Sequence, residues 1–304
     1  MLARTVVLNL GYNKAKDLFV DPTGKENTQI RSFCSAKTLI TWHLQELATT
    51  CRERTGGGSF LLSSAIPEGV ISSHSGMTAE GDNRVLMQKV VKDILTDSQK
   101  GIHDLPEMTQ CPKREIPAMK SINNFETLKN LVFYKEVAEI KSFGKILKKK
   151  IMDDGQPFFD VWMYQVSDEI QSLAIAYGQR YMLEGALAYH KDCKDAQTKK
   201  VLEATIQLHM LALVRENLDW YIINGVIGEE AAAKIDDEHD EAVKAYVPYM
   251  NTVVDALGCP TDASRIGPIA RDYVAFNSQP DAENLDSSGP IFDFRKTGIP
   301  RPRL

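Results

Sequence analysis

Helical periodicity, with almost no sign of β-strands, is the feature of this sequence that most restricts its fold. From Thr28 onwards, apolar residues recur at spacings of three, four and seven, which is the period of one buried face of an α-helix. The residues of that face are Ile30, Phe33, Ile40, Leu44, Leu47 and Cys51. No segment alternates between apolar and polar residues over several positions, as a half-buried strand would. The sequence therefore predicts an all-α protein.

Glycine, proline and capping residues divide the chain into predicted helices. The first residues already read like the middle of a helix. Asn27 or Thr28 is suited to cap a helix that should stop at the three glycines 56–58, because glycine weakens a helix and permits positive φ. The Ser-, Gly- and Pro-rich stretch 61–79 predicts a loop, and 82–95 predicts a helix. Further helices are predicted near 124–152, 158–191, 194–224, 229–257 and 267–276, followed by an irregular tail at 278–304.

A connection that contains prolines separates the predicted helices into two groups. Pro106, Pro112 and the charged triplet 113–115 lie between about residues 104 and 116 and fit a connection better than a helix. We therefore predict two helical-bundle domains, residues 1–108 and residues 109–304, the second of which includes the irregular tail.

Charge and hydropathy exclude two classes of partner. The chain has 304 residues, and its 36 Lys+Arg against 41 Asp+Glu give a net charge of -5, so there is no basic excess to neutralise a phosphate backbone. No apolar run approaches the roughly 20 residues that a membrane-spanning helix needs, and no secretory signal opens the sequence. We expect no nucleic acid partner and no membrane span.

Cysteines and histidines predict neither a metal site nor a thiol nucleophile. The five cysteines are widely spaced and form no CxxC pair, which is typical of reduced intracellular thiols. Cys51, in the helical stripe, is expected to be a small buried hydrophobe. No histidine has a glutamate three residues before it, and the nearest approach, Asp236 to His239, lies in an acidic run typical of a solvated face.

Two short clusters carry the candidate chemistry. The glycines 56–58 permit close approach of backbone amides to an anion, but no Gly-Lys-Ser/Thr follows them, so they form no Walker motif. A plain flexible turn is the alternative for this cluster. In the second cluster Glu80 stands directly before Gly81, and Asp82 or Asn83 is suited to cap the next helix.

These clusters resemble those of the acyl-CoA oxidases, flavoproteins related to the acyl-CoA dehydrogenases. The resemblance lies in TWHLQELATTCRERTGG (41–57), MTAEGDNRVLMQKV (77–90) and ALGCPTDASRIGPIARDYVAFN (256–277). It implies FAD as cofactor and Glu80 as the catalytic base that takes the α-proton of a fatty acyl-CoA thioester. The residues that it places along the flavin are Gly56, Gly57, Gly81, Asp82 and Asn83.

Two physical expectations follow from this assignment. Burial of Glu80 against an acyl chain would raise the pKa of its carboxyl and make it a stronger base. The family's glycine loop also has a glycine where this chain has Ser59, and a serine is strained there if the position needs a positive φ.

The resemblance favours an oxidase over a dehydrogenase, because a long helical region follows Glu80. It implies transfer of electrons to O₂ with formation of H₂O₂ in fatty acid β-oxidation, in peroxisomal homodimers. The terminal Pro302-Arg303-Leu304 resembles the Ser-Lys-Leu peroxisomal address, with a proline in place of the serine. A dehydrogenase that passes electrons to a protein acceptor remains an alternative.

The chain opens within what looks like the third domain of that family, without the N-terminal α and β domains. We therefore expect a fragment or truncated form of such an oxidase, or one that needs a companion chain to supply the missing domains. The alternative from another class is a non-catalytic helical subunit that serves interaction or dimerisation.

Overall fold

Every regular element in the described part of the chain is helical. The computed structural model describes residues 1–20, 26–60, 66–100 and 116–258. Within these ranges no β-strand occurs, and the predicted all-α class is confirmed. The predicted domain boundary after residue 108, the helix at 267–276 and the tail at 278–304 lie outside the described residues.

Twelve α-helices follow one another along the described ranges. They are α1 (Leu2–Val20), α2 (Glu26–Thr55), α3 (Ile66–Thr78), α4 (Asn83–Gln99), α5 (Phe125–Leu147), α6 (Phe158–Tyr164), α7 (Ser167–Asp192), α8 (Ala196–Glu216), α9 (Leu218–Ile223), α10 (Glu229–Ala232), α11 (Ile235–Tyr246) and α12 (Met250–Ala256). Short 3₁₀ turns occupy Gly57–Phe60, Ile116–Ala118 and Val247–Tyr249, and a π-helical turn, Lys148–Asp153, extends α5.

The prediction of a loop at 61–79 was wrong, because α3 occupies most of that stretch. Pro67 is the second residue of α3, where a proline removes no helical hydrogen bond. Two serines satisfy their hydroxyls within the helix: Ser73 donates to the carbonyl of Val70 (2.6 Å) and Ser75 to that of Ser72 (2.7 Å). Residues that favour a loop by composition are therefore compatible with a helix here.

The later predicted helices are more interrupted than their composition indicates. The predicted helix 158–191 is broken between α6 and α7, and 194–224 is broken at Asn217, whose amide donates to the carbonyl of Leu213 (2.8 Å). The predicted helix 229–257 consists of α10, α11 and α12, with Pro248 in the 3₁₀ turn between the last two. Proline cannot donate the backbone hydrogen bond that a continuous helix needs.

The described residues form two compact units, 1–40 with 80–258, and 41–79. In the first unit, α7 contacts α1, α4, α5 and α8. Two glycines let α1 and α7 approach closely: a Cβ on Gly185 would lie 2.7 Å from the Cα of Gly11, and one on Gly11 would lie 2.5 Å from the Cα of Met182. The apolar core of this unit includes Leu128, Leu183 and other fully buried side chains.

A buried ion pair crosses this core. The guanidinium of Arg180 on α7 donates to both carboxylate oxygens of Glu136 on α5, at 2.6 and 3.0 Å, and to Glu184 at 3.0 Å. Burial by itself would lower the pKa of Arg180, but the charge and hydrogen bonds of Glu136 outweigh it and raise the pKa. Both partners of the main pair are 1% exposed, so the pair joins α5 to α7 away from water.

The second unit holds the end of α2, the 3₁₀ turn Gly57–Phe60 and α3. Gly76 on α3 lies against Thr41 on α2, since a Cβ on this glycine would be 3.0 Å from the Cγ2 of Thr41. Ser59 and Ser73 are buried in this unit.

The buried face of α2 is not the apolar stripe that its sequence indicates. Ile30 and Leu44 are 42% and 47% exposed, and Cys51 is exposed instead of buried, so the prediction for Cys51 was wrong. The buried α2 residues are mainly polar: Arg31, Ser32, Ser35, Ala36, Thr38 and His43. A small side chain is required at Ser35 because α7 approaches there, and a Cβ on Gly178 would be 3.3 Å from that of Ser35.

Cysteines, metal-ligand clusters and membrane-spanning helices provide no further candidate site within the described residues. Cys34, Cys51 and Cys193 are free thiols, and Cys111 and Cys259 lie outside the described residues. No group of three or more His, Cys, Asp or Glu residues suited to a metal ion occurs in the described ranges. Among the helices of these ranges, none has the length and apolarity to cross a membrane.

Candidate functional site

Glu80 occupies a strained turn between α3 and α4. Its φ is +58°, and it is the one residue other than glycine with a positive φ in the described part of the chain. Gly81 follows with a φ of +104°. A left-handed conformation costs an L-residue free energy and persists only where its surroundings impose it, which makes such an outlier a candidate for function. The side chain of Glu80 is exposed.

The turn leads directly into the capped start of α4. The carboxylate of Asp82 accepts hydrogen bonds from the backbone N–H of Arg84 (2.8 Å) and Val85 (3.4 Å). Asp82 therefore caps α4, as its sequence position predicts. Asn83, the first residue of α4, is buried.

Lys37 on α2 holds the residues that follow Glu80. Its Nζ donates to the backbone carbonyl of Gly81 (2.6 Å) and to the Oδ1 of Asn83 (2.8 Å). Reasoning from the sequence did not single out Lys37. No local pattern could have done so, because the lysine lies more than forty residues before its partners and its own surroundings carry no motif.

The glycine loop begins where α2 ends. Gly56 has a φ of +80° and lies just after the last helical residue, Thr55, as expected of a glycine that terminates a helix. Gly57 begins the 3₁₀ turn, and both glycines are exposed. A Cβ on either one would meet no atom within 4 Å, so the backbone there is open to a ligand.

Ser59 is not strained, contrary to the expectation from the family's glycine pattern. It lies in the 3₁₀ turn without a positive φ, and it is fully buried. Its hydroxyl donates to the carbonyl oxygens of Arg52 (2.7 Å) and Gly56 (2.5 Å). The hydroxyl thus adds a donor at the end of α2, where the Gly56 carbonyl also accepts from the backbone N–H of Ser59 (3.1 Å).

The predicted site residues fall into both units. Glu80, Gly81, Asp82 and Asn83 belong to the first unit, and Gly56 and Gly57 belong to the second. The first four residues form one turn, which Lys37 ties to α2. Glu80 itself is exposed in the described structure, and its burial against an acyl chain stays a prediction.

The first unit contains two cavities away from this turn. One, of about 520 Å³, lies among α1, α8 and α12, with Val6, Val201 and Val253 in its largely apolar lining. The other, of about 530 Å³, lies at the start of α5 beside His190. Glu80 does not line either of these two cavities.

Two family models and several known proteins match this chain. The family model "Acyl-CoA oxidase, C-alpha1 domain" matches residues 10–95, and the model "Acyl-CoA oxidase" matches residues 126–263. The peroxisomal acyl-coenzyme A oxidase 3 of Arabidopsis thaliana is 22% identical over 292 residues, covering 91% of this chain and 42% of the plant protein.

Solved structures share the helical fold. Acyl-CoA oxidase-1 of Caenorhabditis elegans, complexed with FAD and ATP, superposes with a TM-score of 0.75 at 14% identity, over 89% of this chain and 42% of that chain. Acyl-CoA oxidase 1 of Yarrowia lipolytica gives a TM-score of 0.74 at 16% identity, over 99% of this chain and 47% of that chain. The chain spans less than half the length of these relatives.

The all-α architecture defines the chain as a helical protein of the kind that forms the C-terminal domains in these structures. With both family models matched in order along it, the chain belongs to the acyl-CoA oxidase family and corresponds to its helical C-terminal half.

Proposed function

We propose that this protein acts in FAD-dependent oxidation of fatty acyl-CoA, with Glu80 as the general base. The reaction would introduce an α,β double bond and use O₂ as oxidant, giving H₂O₂ in fatty acid β-oxidation. The observation that carries the proposal is the strained conformation of Glu80, in a turn that the family's C-alpha1 model includes. A strained carboxylate at a loop position is typical of a functional site.

In this proposal Glu80 and Gly81 have separate roles. The Glu80 carboxylate takes the proton from the carbon next to the thioester carbonyl, and Gly81 lets the backbone turn sharply behind it. A bound acyl chain would displace water from the exposed carboxylate and make it a stronger base.

Gly56 and Gly57 are compatible with a bound flavin in one respect, because no atom occupies the space beside their backbone. Gly56 and Gly57 would contact the cofactor together with Gly81, Asp82 and Asn83. When bound, FAD supplies the acceptor for the hydride from the β-carbon.

Completion of the site is part of the proposal. The relatives are more than twice as long as this chain, and Glu80 is exposed. We infer that either a second copy in a homodimer or a companion chain covers the turn and excludes water there. The Arabidopsis relative is named as peroxisomal, which supports a peroxisomal location for this protein; the terminal Pro302-Arg303-Leu304 lies outside the described residues.

A non-catalytic interaction subunit is the second candidate. The exposure of Glu80, Gly56 and Gly57 favours it, because a surface of this kind is also available to a protein partner. A dehydrogenase differs from both in its oxidant: it would be reduced by acyl-CoA but would transfer electrons to a protein acceptor instead of O₂.

The test is titration of the purified chain with FAD, followed by acyl-CoA without oxygen and then with oxygen. We expect FAD to bind, its visible absorption to bleach on addition of acyl-CoA, and peroxide to form when oxygen is admitted. The variant Glu80→Gln should bind FAD and acyl-CoA but bleach about 10²–10⁴-fold more slowly, since a positioned base contributes that much.

Glu229→Gln is the matched control, because Glu229 is also an exposed glutamate of the first unit but lies at the start of α10. It should behave like the unaltered chain. Equal bleaching rates in Glu80→Gln and the unaltered chain would remove Glu80 from its role. Failure of the purified chain to bind FAD at any concentration would exclude completion of the site by a second copy, which leaves the companion chain or the interaction subunit. Bleaching without peroxide would favour the dehydrogenase.

A further inference from the structure

The turn that carries Glu80 has few contacts of its own to stabilise it. Glu80 and Gly81 have successive positive φ values, +58° and +104°, and both residues are exposed. The carboxylate of Asp82 is used in capping α4 and therefore holds the helix start, not the residues before it. An outside contact is needed to keep a non-glycine residue in the left-handed region.

Lys37 supplies that contact from another helix. Its ammonium donates to the Gly81 carbonyl (2.6 Å), the acceptor directly after Glu80, and to the Asn83 side chain (2.8 Å). A charged donor makes stronger hydrogen bonds than a neutral one. Two acceptors on either side of Asp82 are thus tied to a single atom on α2, which restrains the Gly81–Asp82 peptide and with it the chain that follows Glu80.

Lys37 extends from a packed segment of α2. Lys37 lies on α2 between the buried residues Ala36 and Thr38, and α2 packs near there against α7, where Leu39 approaches Gly178. Lys37 therefore holds the exposed turn in a fixed position relative to the packed helix α2. Groups held by packed elements keep catalytic geometry better than groups on free loops.

We propose that Lys37 is a positioning residue, which fixes the direction of the Glu80 carboxylate through the backbone of Gly81 and the side chain of Asn83. The proposal rests on the proposed role of Glu80 as base. Lys37 touches neither substrate nor cofactor in this account. Its removal should lower the rate of proton transfer while leaving the affinity for FAD and acyl-CoA unchanged.

The experiment compares Lys37→Met and Lys37→Arg with Lys92→Met, an exposed lysine on α4 as the control. In the full chain with FAD and acyl-CoA, Lys37→Met should slow flavin bleaching about 10- to 100-fold, because displacement of a catalytic group by about 1 Å costs that much. Lys37→Arg, which keeps a charged donor, should restore part of the rate, and Lys92→Met should change nothing.

A double variant separates positioning from a general structural effect. In the Glu80→Gln background, Lys37→Met should cause no further loss of rate, because no carboxylate remains to be positioned. An additional loss of the same size in that background, or an unchanged bleaching rate in Lys37→Met alone, would overturn the proposal.

Amide hydrogen exchange gives a readout that does not depend on activity. Opening of the turn should speed exchange of the Arg84 and Val85 amides, which Asp82 caps, by about tenfold in Lys37→Met, with the amides of α7 unaffected. If the chain with FAD shows no bleaching at all, the proposed function fails for this chain without a companion. The contact of Lys37 with the turn is then judged by exchange alone, and unchanged exchange at Arg84 and Val85 would overturn the proposal.

Discussion

Glu80 illustrates how much a single residue depends on its surroundings. A left-handed, non-glycine residue costs roughly 1–3 kcal/mol, and the side chain of Glu80 makes no buried contact that would repay this cost. The motif Glu-Gly-Asp-Asn predicts the helix cap at Asp82 and a conformationally permissive glycine at Gly81. It does not predict that the glutamate itself adopts a positive φ, because glutamate has no preference for that region.

Asp97 provides a pH-dependent test at the same scale. Its carboxylate binds the guanidinium of Arg31 and accepts from the amide of Asn27 (2.8 Å). Burial alone would raise the pKa of Asp97, but the hydrogen bonds from Asn27 and Arg31 and the charge of Arg31 outweigh it, so the pKa lies below its ordinary value of 3.8. The stabilisation is therefore complete above the ordinary value and is lost as the pH falls through the lower, folded value.

We expect Asp97→Asn to reduce the free energy of unfolding by about 3 kcal/mol at neutral pH, because it removes the carboxylate that pairs with the buried guanidinium of Arg31. The difference from the unaltered chain should shrink in acid, below about pH 4. Urea titrations over a pH series measure this, with the exposed Asp153→Asn as control. A difference that stays constant down to the lowest pH would contradict the assignment.

At the scale of the element, the end of α2 shows that a departure from a family pattern need not be a defect. Ser59 stands where the resemblance to the family implies a glycine, yet its hydroxyl donates to carbonyls of Arg52 and Gly56 at the helix end. A glycine could adopt the same backbone but would leave those carbonyls without this donor, and it would lose more entropy on folding.

Ser59→Gly should therefore destabilise the end of α2 by about 1–2 kcal/mol, from the lost hydrogen bond and the added chain entropy. Amide exchange in the last turn of α2 would report this as faster opening. Ser59→Ala, which removes the hydroxyl and keeps the Cβ, should show most of the same effect. Slower exchange in Ser59→Gly would mean that the serine is strained after all.

At the scale of the whole molecule, the first unit depends on close approach of long helices. Gly11 is in the middle of α1, where glycine is unfavourable by about 1 kcal/mol relative to alanine. Its presence is explained by α7, since a Cβ there would lie 2.5 Å from the Cα of Met182, a backbone atom that cannot rotate away. Packing between elements outweighs local propensity at this position.

Gly11→Ala should accordingly lower the free energy of unfolding by about 1–3 kcal/mol, although it improves helix propensity. Gly144→Ala in α5 is the matched control, because a Cβ there meets no atom within 4 Å. It should raise stability by about 0.5–1 kcal/mol. Thermal or urea unfolding distinguishes the two signs, and stabilisation by both substitutions would show that α1 and α7 are not in contact as described.

Local signals explain which features could be predicted. The long helix before the glycines, its end at Gly56 and the cap of α4 at Asp82 follow from propensities and hydrogen bonds that act within a few residues. Composition was misleading at α3, where one proline, several serines and two glycines indicated a loop. It was also misleading at α2, whose apolar stripe is partly exposed while Arg31 and Ser35 are buried.

The amino-acid sequence by itself determined the helical class, the end of α2, the start of α4 and the family motifs around Gly56 and Glu80, because these depend on neighbours along the chain. Only the tertiary structure decided which face of α2 is buried, that α1 and α7 meet at Gly11, and that Lys37 binds the turn after Glu80. Each of these depends on atoms brought together from distant positions, where packing and charge outweigh local preference.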